Sequence, residues 1–233
     1  MPKVMAATVV ERRAREARLR EEHILAVVKS LIRQGGAAEV SIRRVAEQAG
    51  FSTTVVYAHF KDKATLITRA LDADLLALVA AMRTAVQGVD DTAERLQRAG
   101  LAYVAYGLAH TDEYQLVFME PRPHAPVDAA QVEHGNAEQD PYAFAFGLVE
   151  AFARKRLGFG GQGAELTAHQ VQTVHLMTQM YWQSLHGLVS LNIVMGPTDP
   201  WAPHIDPSAN AATAMEVLLA GFEQRFRART SGQ

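Results

Sequence analysis

Apolar residues recur every three or four positions along most of the chain, which is the spacing of an amphipathic helix. In the segment at about 62–87, the apolar residues at this spacing are Leu66, Ala70, Leu71, Leu75, Leu78 and Met82. The same pattern predicts further helices at about 11–34, 42–49, 90–110, 112–119, 140–157, 166–194 and 209–229. Because no alternating strand pattern accompanies them, we expect an all-α fold.

Proline residues indicate where the helices are interrupted. Eight of the nine prolines lie between residues 121 and 207, and proline disrupts helix interiors. The long stretch before them can therefore be mostly helical. The Pro-rich segments 121–126 and 196–207 are predicted to be the two main connections.

Charge is distributed unevenly along the chain. Residues 1–69 contain 13 Lys and Arg against 7 Asp and Glu, a net charge of +6, whereas the remainder carries 10 against 18, a net charge of -8. We expect a small N-terminal domain over residues 1–69 and a larger C-terminal domain over 70–233, which share the helix at 62–87. The basic part suggests a polyanionic partner, and the acidic part argues against a nucleic-acid channel through the whole protein.

The segment FSTTVVYAHF, residues 51–60, is rich in residue types that favour strands. A helical wheel nevertheless separates core from surface better than a strand does, since Val56 and Phe60 fall on one side while Thr54 and Tyr57 project from the other. A helix ending at a glycine precedes the segment, and two short helices around such a turn have the layout of a helix-turn-helix. The hydroxyl-rich face of the second helix suits the major groove of DNA, which is ~12 Å wide.

These residues resemble the TetR family of bacterial transcriptional regulators. The matching pattern is S-I-x-x-V-A-x-x-A-G-F-S-x-x-x-V-Y-x-H-F-x-x-K-x-x-L, from Ser41 to Leu66. The resemblance implies an α-helical homodimer that binds palindromic operator DNA and releases it when a small molecule occupies the C-terminal domain. We therefore expect a ligand-responsive repressor whose two recognition helices lie about one turn of DNA apart, ~34–36 Å, and whose effector acts through the helix at 62–87.

The resemblance also implies which residues contact DNA. Ser41 and Arg43, at the start of helix two, match positions that meet phosphate or base edges. Thr53, Thr54 and Tyr57 match recognition contacts, and His59 and Lys63 match flanking phosphate contacts. Arg44 is added from its charge alone. Tyr57 and His59 have an alternative role, in which they only cover the domain surface. The predicted DNA-binding residues are Ser41, Arg43, Arg44, Thr53, Thr54, Tyr57, His59 and Lys63.

The N-terminal run ERRAREARLREE contains five arginines. It could form an arm that reaches phosphate or a narrow minor groove. Alternatively, it is a solvated helix whose glutamates offset the charge. These arginines are not counted among the predicted DNA contacts.

The segment MYWQSLHGLVSLNI, residues 180–193, resembles the W-x-x-x-H-G-L pattern of one C-terminal subgroup of TetR-like regulators, and DEYQLVFME, residues 112–120, resembles its short middle helix. His175, Gln179, Trp182 and His186 would form one stripe on a helix. The stripe could line a largely apolar effector pocket, or it could pack in the core or in a four-helix dimer interface. The predicted effector residues are Tyr103, Tyr106, Phe118, Tyr142, Phe146, Gln179, Trp182 and His186. Gly187 is expected to let two helices approach closely.

Nothing in the sequence indicates catalysis or a metal site. There is no cysteine, the histidines lack an i, i+4 pair, and G-x-S-x-G, H-E-x-x-H and P-loop motifs are absent. Gly158, Gly160 and Gly163 match G-x-G-x-x-G, but the segment before them is predicted to be helical, so they are interpreted as a helix stop and loop rather than a dinucleotide site. We expect no cofactor.

No apolar run approaches the ~20 residues of a membrane span, and no signal-peptide pattern is present, so a cytoplasmic location is expected. Two alternatives to a repressor remain. One is a helical enzyme or ligand-binding protein with a vestigial helix-turn-helix. The other is a transcriptional activator.

Overall fold

The computed structural model describes residues 8–120, 132–200 and 203–227, which form nine α-helices and no β-strand. The helices are α1 (Val9–Gly35), α2 (Ile42–Ala49), α3 (Thr53–His59), α4 (Lys63–Ala85), α5 (Thr92–Ala109), α6 (Thr111–Phe118), α7 (Pro141–Phe152), α8 (Ala168–Met195) and α9 (Pro207–Phe226). The predicted all-α fold is confirmed. The predicted connection at 121–126 lies outside the described residues, as do two residues of the connection at 196–207. None of the described helices is long and apolar enough to cross a membrane.

The described residues divide into two compact units, and the division falls after Ala73, inside α4. The first unit contains α1 to α3 and the beginning of α4. The second contains the rest of α4 and the helices α5 to α9. The domain boundary expected after residue 69 stays a prediction.

The first unit is built on α1, which contacts α2, while α2 contacts α3. A capping box starts α1, because the Thr8 hydroxyl accepts a hydrogen bond from the Glu11 backbone N–H at 3.2 Å and the Glu11 carboxylate accepts one from Thr8 N–H at 2.6 Å. The far half of α1 buries Ile24, Val28 and Leu31 completely. Burial of such side chains stabilises a small helical unit by ~1.5–3 kcal/mol each.

The second unit is organised around α5, which contacts α6, α7, α8 and α9. Two glycines on α5 permit this close packing. A Cβ atom at Gly100 would lie 3.1 Å from the Tyr181 hydroxyl, and one at Gly107 would lie only 2.7 Å from Cγ1 of Val189. Any larger side chain at Gly107 would therefore displace α5 or its neighbours.

Two expectations about glycines have different outcomes. A Cβ atom added at Gly187 would meet nothing within 4 Å among the described residues, apart from its own stretch of helix, so the close approach expected there does not occur within the chain. The G-x-G-x-x-G segment forms a loop, as expected. Gly158 ends the helical segment that follows α7 in the left-handed conformation, with φ of 77°, and Gly160 repeats that conformation with φ of 58°.

Candidate nucleic-acid interface and effector site

A glycine turn fixes the angle between α2 and α3. Gly50 adopts φ of 72° and ψ of 27°, a left-handed conformation that glycine takes without steric cost. The Phe51 N–H then donates to the carbonyl oxygen of Ala46 at 2.8 Å, which completes the helix end. Ser52 starts α3 by accepting a hydrogen bond from Val55 N–H at 3.4 Å. The two short helices therefore form a helix-turn-helix.

The two sides of α3 differ in burial as the helical wheel predicts. Val56 and Phe60 are buried, with 0% and 1% of their surfaces exposed. Thr53 and Thr54 are exposed at the first turn, and Tyr57 leaves 57% of its surface exposed although it is aromatic. An exposed surface of two hydroxyls and a phenol can donate to and accept from the edges of bases.

The start of α2 presents further polar groups. The hydroxyl of Ser41 accepts a hydrogen bond from the Arg44 N–H at 3.2 Å and so caps the helix. Arg43 is exposed. Arg44 is half-buried and forms an ion pair with the Glu39 carboxylate, so a DNA phosphate would compete with that carboxylate for its guanidinium. Arg43 is consequently the more available cation of the pair.

His59 and Lys63 flank the end of α3. His59 is half-buried, and its Nδ1 lies 4.0 Å from a carboxylate oxygen of Glu21, which also pairs with Arg69 at 2.6 Å. The His59 ring thus lies near Glu21 of α1. Lys63 is half-buried at the first position of α4, just after Asp62, whose carboxylate accepts a hydrogen bond from Thr65 N–H at 2.8 Å. That hydrogen bond lowers the pKa of Asp62.

The arginines of the N-terminal run lie on a helix. Because α1 begins at Val9, the run from Glu11 to Glu22 is helical throughout, and its five arginines are exposed. The run is therefore an exposed helix, and a contact of its arginines with phosphate stays an untested alternative.

The predicted effector residues form two separate clusters along α8. In the first, which we call the tyrosine chain, the Trp182 indole N–H donates to the Tyr103 hydroxyl at 3.1 Å. The hydroxyls of Tyr103 and Tyr114 lie 2.8 Å apart, and the Tyr114 hydroxyl lies 2.6 Å from Nδ1 of His186. Phe118 packs against this chain, with its ring centroid 4.8 Å from that of Tyr114. The chain joins α5, α6 and α8.

The second cluster lies between α7 and α8. The Tyr142 hydroxyl is 2.9 Å from Nδ1 of His175, and Gln179 lies one helical turn beyond His175 on α8. The Phe146 ring lies 4.6 Å from the His175 ring. Tyr106 belongs to neither cluster, because its hydroxyl donates to a backbone carbonyl at 3.4 Å and its ring packs against that of the nearby His110.

Burial controls the protonation of the tyrosine chain. It raises the pKa of Tyr103 to about 12, and it also raises the pKa of Tyr114. Burial lowers the pKa of His186, because the charged imidazolium is less well solvated there. All three groups are therefore neutral at pH 7.

Two surface pockets lie elsewhere in the second unit. One, of about 390 Å³, is lined by residues between Arg83 and Arg95 together with Phe144. The other, of about 290 Å³, is lined by residues between Leu191 and Asn210. None of the eight predicted effector residues is among the described residues that line these two pockets.

Both parts of the chain match known families. A family model described as "Bacterial regulatory proteins, tetR family" matches residues 24–70, and one described as "Tetracyclin repressor-like, C-terminal domain" matches residues 96–217. The second match alone covers more than half of the 233 residues. The chain belongs to the TetR family. No curated protein matches its sequence.

Solved structures share the fold of this TetR family chain at low sequence identity. A protein with unknown function from Rhodococcus sp. RHA1 is 20% identical with a TM-score of 0.61, over 95% of this chain and 98% of that one. The transcriptional regulator FadR from Bacillus subtilis, in complex with stearoyl-CoA, is 14% identical with a TM-score of 0.60, over 86% and 98%. The ketosteroid transcriptional regulator KstR2 of Mycobacterium tuberculosis is 18% identical with a TM-score of 0.51, over 87% and 94%.

Family membership decides whether the chain is a transcription regulator or an enzyme, two alternatives that the sequence left open. As a TetR family member, the chain is a transcription regulator with a helix-turn-helix DNA-binding domain, not an enzyme. The hypothesis of a helical enzyme with a vestigial helix-turn-helix is therefore wrong. The individual DNA contacts and effector contacts stay predictions.

Two residues of the TetR C-terminal domain are absent from the predicted effector set. Tyr114 lies at the centre of the tyrosine chain, and its signal in the sequence is its i, i+4 spacing from Phe118 on α6. His175 forms a hydrogen bond with Tyr142, and its signal in the sequence is the stripe that it shares with Gln179 on α8. Both signals show which residues share a helix face, but not which helix lies opposite.

Proposed function

We propose that this TetR family regulator is a homodimeric repressor that leaves a pseudo-palindromic operator when a largely apolar small molecule binds its C-terminal unit. The observation that carries the proposal is the composition of α3, where Thr53, Thr54 and Tyr57 are exposed above the buried Val56 and Phe60. A helix held by its apolar side leaves its hydroxyl side free to enter a major groove.

The proposed contacts divide into two kinds. Thr53, Thr54 and Tyr57 would reach base edges and so select the sequence, with threonine methyl groups able to touch thymine methyls. The residues Ser41, Arg43, Arg44, His59 and Lys63 would contact phosphate and fix the register of the domain on the duplex. Arg44 would do so while paired with Glu39, and His59 would do so with the Glu21 carboxylate 4.0 Å from its Nδ1, so we expect their contributions to be smaller than that of Arg43.

An apolar stripe on the surface of the second unit supports a homodimer. On α8, Leu176, Met180, Leu191 and Val194 are 49%, 38%, 59% and 71% exposed and follow helical spacing along one side. Gly187 lies on the same side with open space around it, and Val217 of α9 is 68% exposed. Two copies joined by α8 and α9 would bury these residues in a four-helix interface, where Gly187 would permit close approach.

The effector is proposed to be largely apolar because both polar–aromatic clusters on α8 consist mainly of rings. The solved structures of similar fold include FadR in complex with stearoyl-CoA, whose acyl chain is apolar, and the ketosteroid transcriptional regulator KstR2. Both names support an effector that is largely apolar. Such a molecule can release DNA only if it binds the DNA-free conformation more tightly than the DNA-bound one. We further propose a cytoplasmic location, where operator DNA is found.

The proposal is tested on DNA flanking the protein's own coding region. A mobility-shift assay at low salt, with excess competitor DNA, should show a specific complex, and transcription in vitro from the adjacent promoter should fall when the protein is added. Absence of a specific complex would overturn the DNA-binding assignment. A rise in transcription would show an activator instead of a repressor.

A further inference from the structure

The tyrosine chain has a fixed direction, which is set by the indole of Trp182. An indole N–H can only donate a hydrogen bond, so the Tyr103 oxygen accepts the one from Trp182 at 3.1 Å. Tyr103 is 2% exposed, so its own hydrogen is shielded from water, and the described acceptor within reach is the Tyr114 oxygen at 2.8 Å. The Tyr103 hydroxyl therefore donates to Tyr114.

The same reasoning continues to His186. Tyr114 is 1% exposed, and its oxygen already accepts from Tyr103, so its hydrogen points to Nδ1 of His186 at 2.6 Å. Nδ1 must then be an acceptor without a hydrogen. A neutral imidazole that accepts at Nδ1 carries its hydrogen on Nε2. Every hydrogen bond of the tyrosine chain thus points from Trp182 towards His186.

Protonation of His186 would conflict with this order. A hydrogen on Nδ1 would be donated to the Tyr114 oxygen, and the Tyr114 hydroxyl would then donate to Tyr103. The Tyr103 hydrogen would have no acceptor, because the Trp182 N–H can only donate. A buried hydroxyl hydrogen without an acceptor is unfavourable. The groups packed on the imidazole from α6 and from its own helix are the neutral rings of Tyr114, Phe118 and Trp182. Burial also lowers the pKa of His186, which likewise favours the neutral imidazole.

The imidazole of His186 is packed among aromatic rings. Within the described ranges, Nε2 of His186 makes no hydrogen bond, and the ring centroids of Phe118 and Trp182 lie 5.9 and 6.1 Å from that of His186. Trp182 is 39% exposed, so this group of rings is open on that side. One oriented N–H donor is thus set among apolar rings.

We propose that Nε2–H of His186 recognises the effector, and that the effector is a largely apolar molecule carrying a hydrogen-bond acceptor oxygen, such as a carbonyl or carboxylate, and no positive charge beside it. This inference rests on the proposed function, whose effector it defines chemically. The Tyr103 and Tyr114 hydroxyls are positioning groups, because they act through the ring of His186. A cationic group would face the hydrogen of a donor and would be repelled.

The tautomer of His186 is tested first, on the intact 233-residue chain without any ligand. Nitrogen-15 NMR of protein labelled in its nine histidines should show His186 as the neutral Nε2–H tautomer from about pH 7 upward. His186→Asn identifies the signal. Trp182→Phe, which removes the donor that sets the direction, should allow the Nδ1–H tautomer to appear. An imidazolium or an Nδ1–H tautomer in the unaltered protein at pH 7 would overturn the proposal.

Recognition is tested with three naphthalenes of similar shape: acetylnaphthalene, which has an acceptor; ethylnaphthalene, which has none; and naphthylmethylammonium, which is cationic. Acetylnaphthalene should shift the Nε2 signal and bind about two- to tenfold more tightly than ethylnaphthalene, the range expected for one hydrogen bond. The ammonium compound should bind most weakly. Equal affinities, preference for the cation, or no binding by any of the three would each overturn the role of His186.

Matched variants separate hydrogen bonding from packing. His186→Asn keeps an acceptor for the Tyr114 hydroxyl but lacks a donor at the Nε2 position, so the preference for acetylnaphthalene should disappear. His186→Gln places an amide N–H near the Nε2 position and should restore part of the preference for acetylnaphthalene. Operator binding without a ligand is measured in parallel: if it is absent, the proposed function fails, whereas intact operator binding with no preference among the probes refutes only this inference.

Discussion

Gly107 of α5 packs directly against Val189 of α8, so closely that a Cβ atom at position 107 would lie 2.7 Å from Cγ1 of Val189. The same Cβ would lie 2.9 Å from the ring of Tyr114, which belongs to the tyrosine chain. The position of the chain therefore depends on the absence of a side chain at Gly107.

Gly107→Ala should lower the stability of the protein by ~1–3 kcal/mol, because overpacking forces Val189 or Tyr114 to move. The measurement is the midpoint of thermal unfolding. Gly147→Ala is the matched control, since Gly147 lies in α7 with nothing within 4 Å of its Cβ position, and this change should raise stability by ~0.5–1 kcal/mol. A rise at both positions would show that α5 is not closely packed at Gly107.

The buried phenols should make the fold sensitive to alkaline pH. Burial raises the pKa of Tyr103 to about 12, above the value of about 10 for an unfolded chain, and it raises the pKa of Tyr181 as well. A phenol with a raised pKa stabilises the folded state below the unfolded value, and this stabilisation is lost as the pH rises from about 10 towards 12.

The thermal unfolding midpoint should therefore decline steeply above about pH 10. Tyr181→Phe should make the decline shallower, although it removes the hydrogen bond to the carbonyl oxygen of Leu96 at 2.8 Å and so costs ~0.5–1.5 kcal/mol at neutral pH. Tyr57→Phe, which alters an exposed phenol, is the control and should leave the decline unchanged. An identical decline in the unaltered protein and both variants would show that Tyr181 does not contribute to it.

The proposed dimer interface is tested with a charge on its apolar stripe. Val194→Asp puts a carboxylate on a side chain that is 71% exposed in the single chain but buried in the proposed dimer, so the dimer should dissociate. Sedimentation velocity should show a shift from twice the chain mass of 25.5 kDa to the chain mass itself. Val10→Asp, at an exposed valine of α1, should leave the mass unchanged. A dimer that tolerates Val194→Asp would place the interface elsewhere.

The helices could be predicted because their signals are local. Periodic apolar residues mark each helix, and capping residues such as Ser41 and Ser52 set where α2 and α3 begin. Even α3, which is rich in β-branched residues, is helical. Its cap, the turn at Gly50 and the burial of Val56 and Phe60 outweigh the intrinsic preference of its residues.

The arrangement of the effector residues could not be predicted in the same way. His175 and His186 share a stripe on α8, but they have partners on different helices. His175 forms a hydrogen bond with Tyr142 of α7, and His186 forms one with Tyr114 of α6. Which helix lies opposite each part of the stripe depends on long-range packing, which periodicity does not encode. The same reason explains why, among the described residues, close helix contact occurs at Gly107 and not at Gly187.

Lys63 is proposed to contact phosphate, which predicts a loss that does not depend on DNA sequence. Lys63→Ala should weaken binding to operator and non-operator DNA alike and should reduce the slope of log K against log salt by about one unit. Fluorescence anisotropy over a series of salt concentrations measures the affinity for each DNA and the salt slope. Lys155→Ala, at an exposed lysine of the second unit, is the control and should change neither value. An unchanged slope for Lys63→Ala would show that Lys63 does not neutralise a phosphate.

Thr54 is proposed to read a base edge, which predicts a loss that is specific to the operator. Its side chain is exposed on α3, where a hydroxyl and a methyl group can both face the major groove. Thr54→Ala should weaken operator binding by ~1–3 kcal/mol and leave the affinity for non-operator DNA nearly unchanged. The control, Thr84→Ala, removes an exposed hydroxyl from α4 in the second unit and should affect neither DNA. An equal loss on both DNAs with Thr54→Ala would mean that Thr54 contributes to backbone contact and that sequence selection resides in Thr53 and Tyr57.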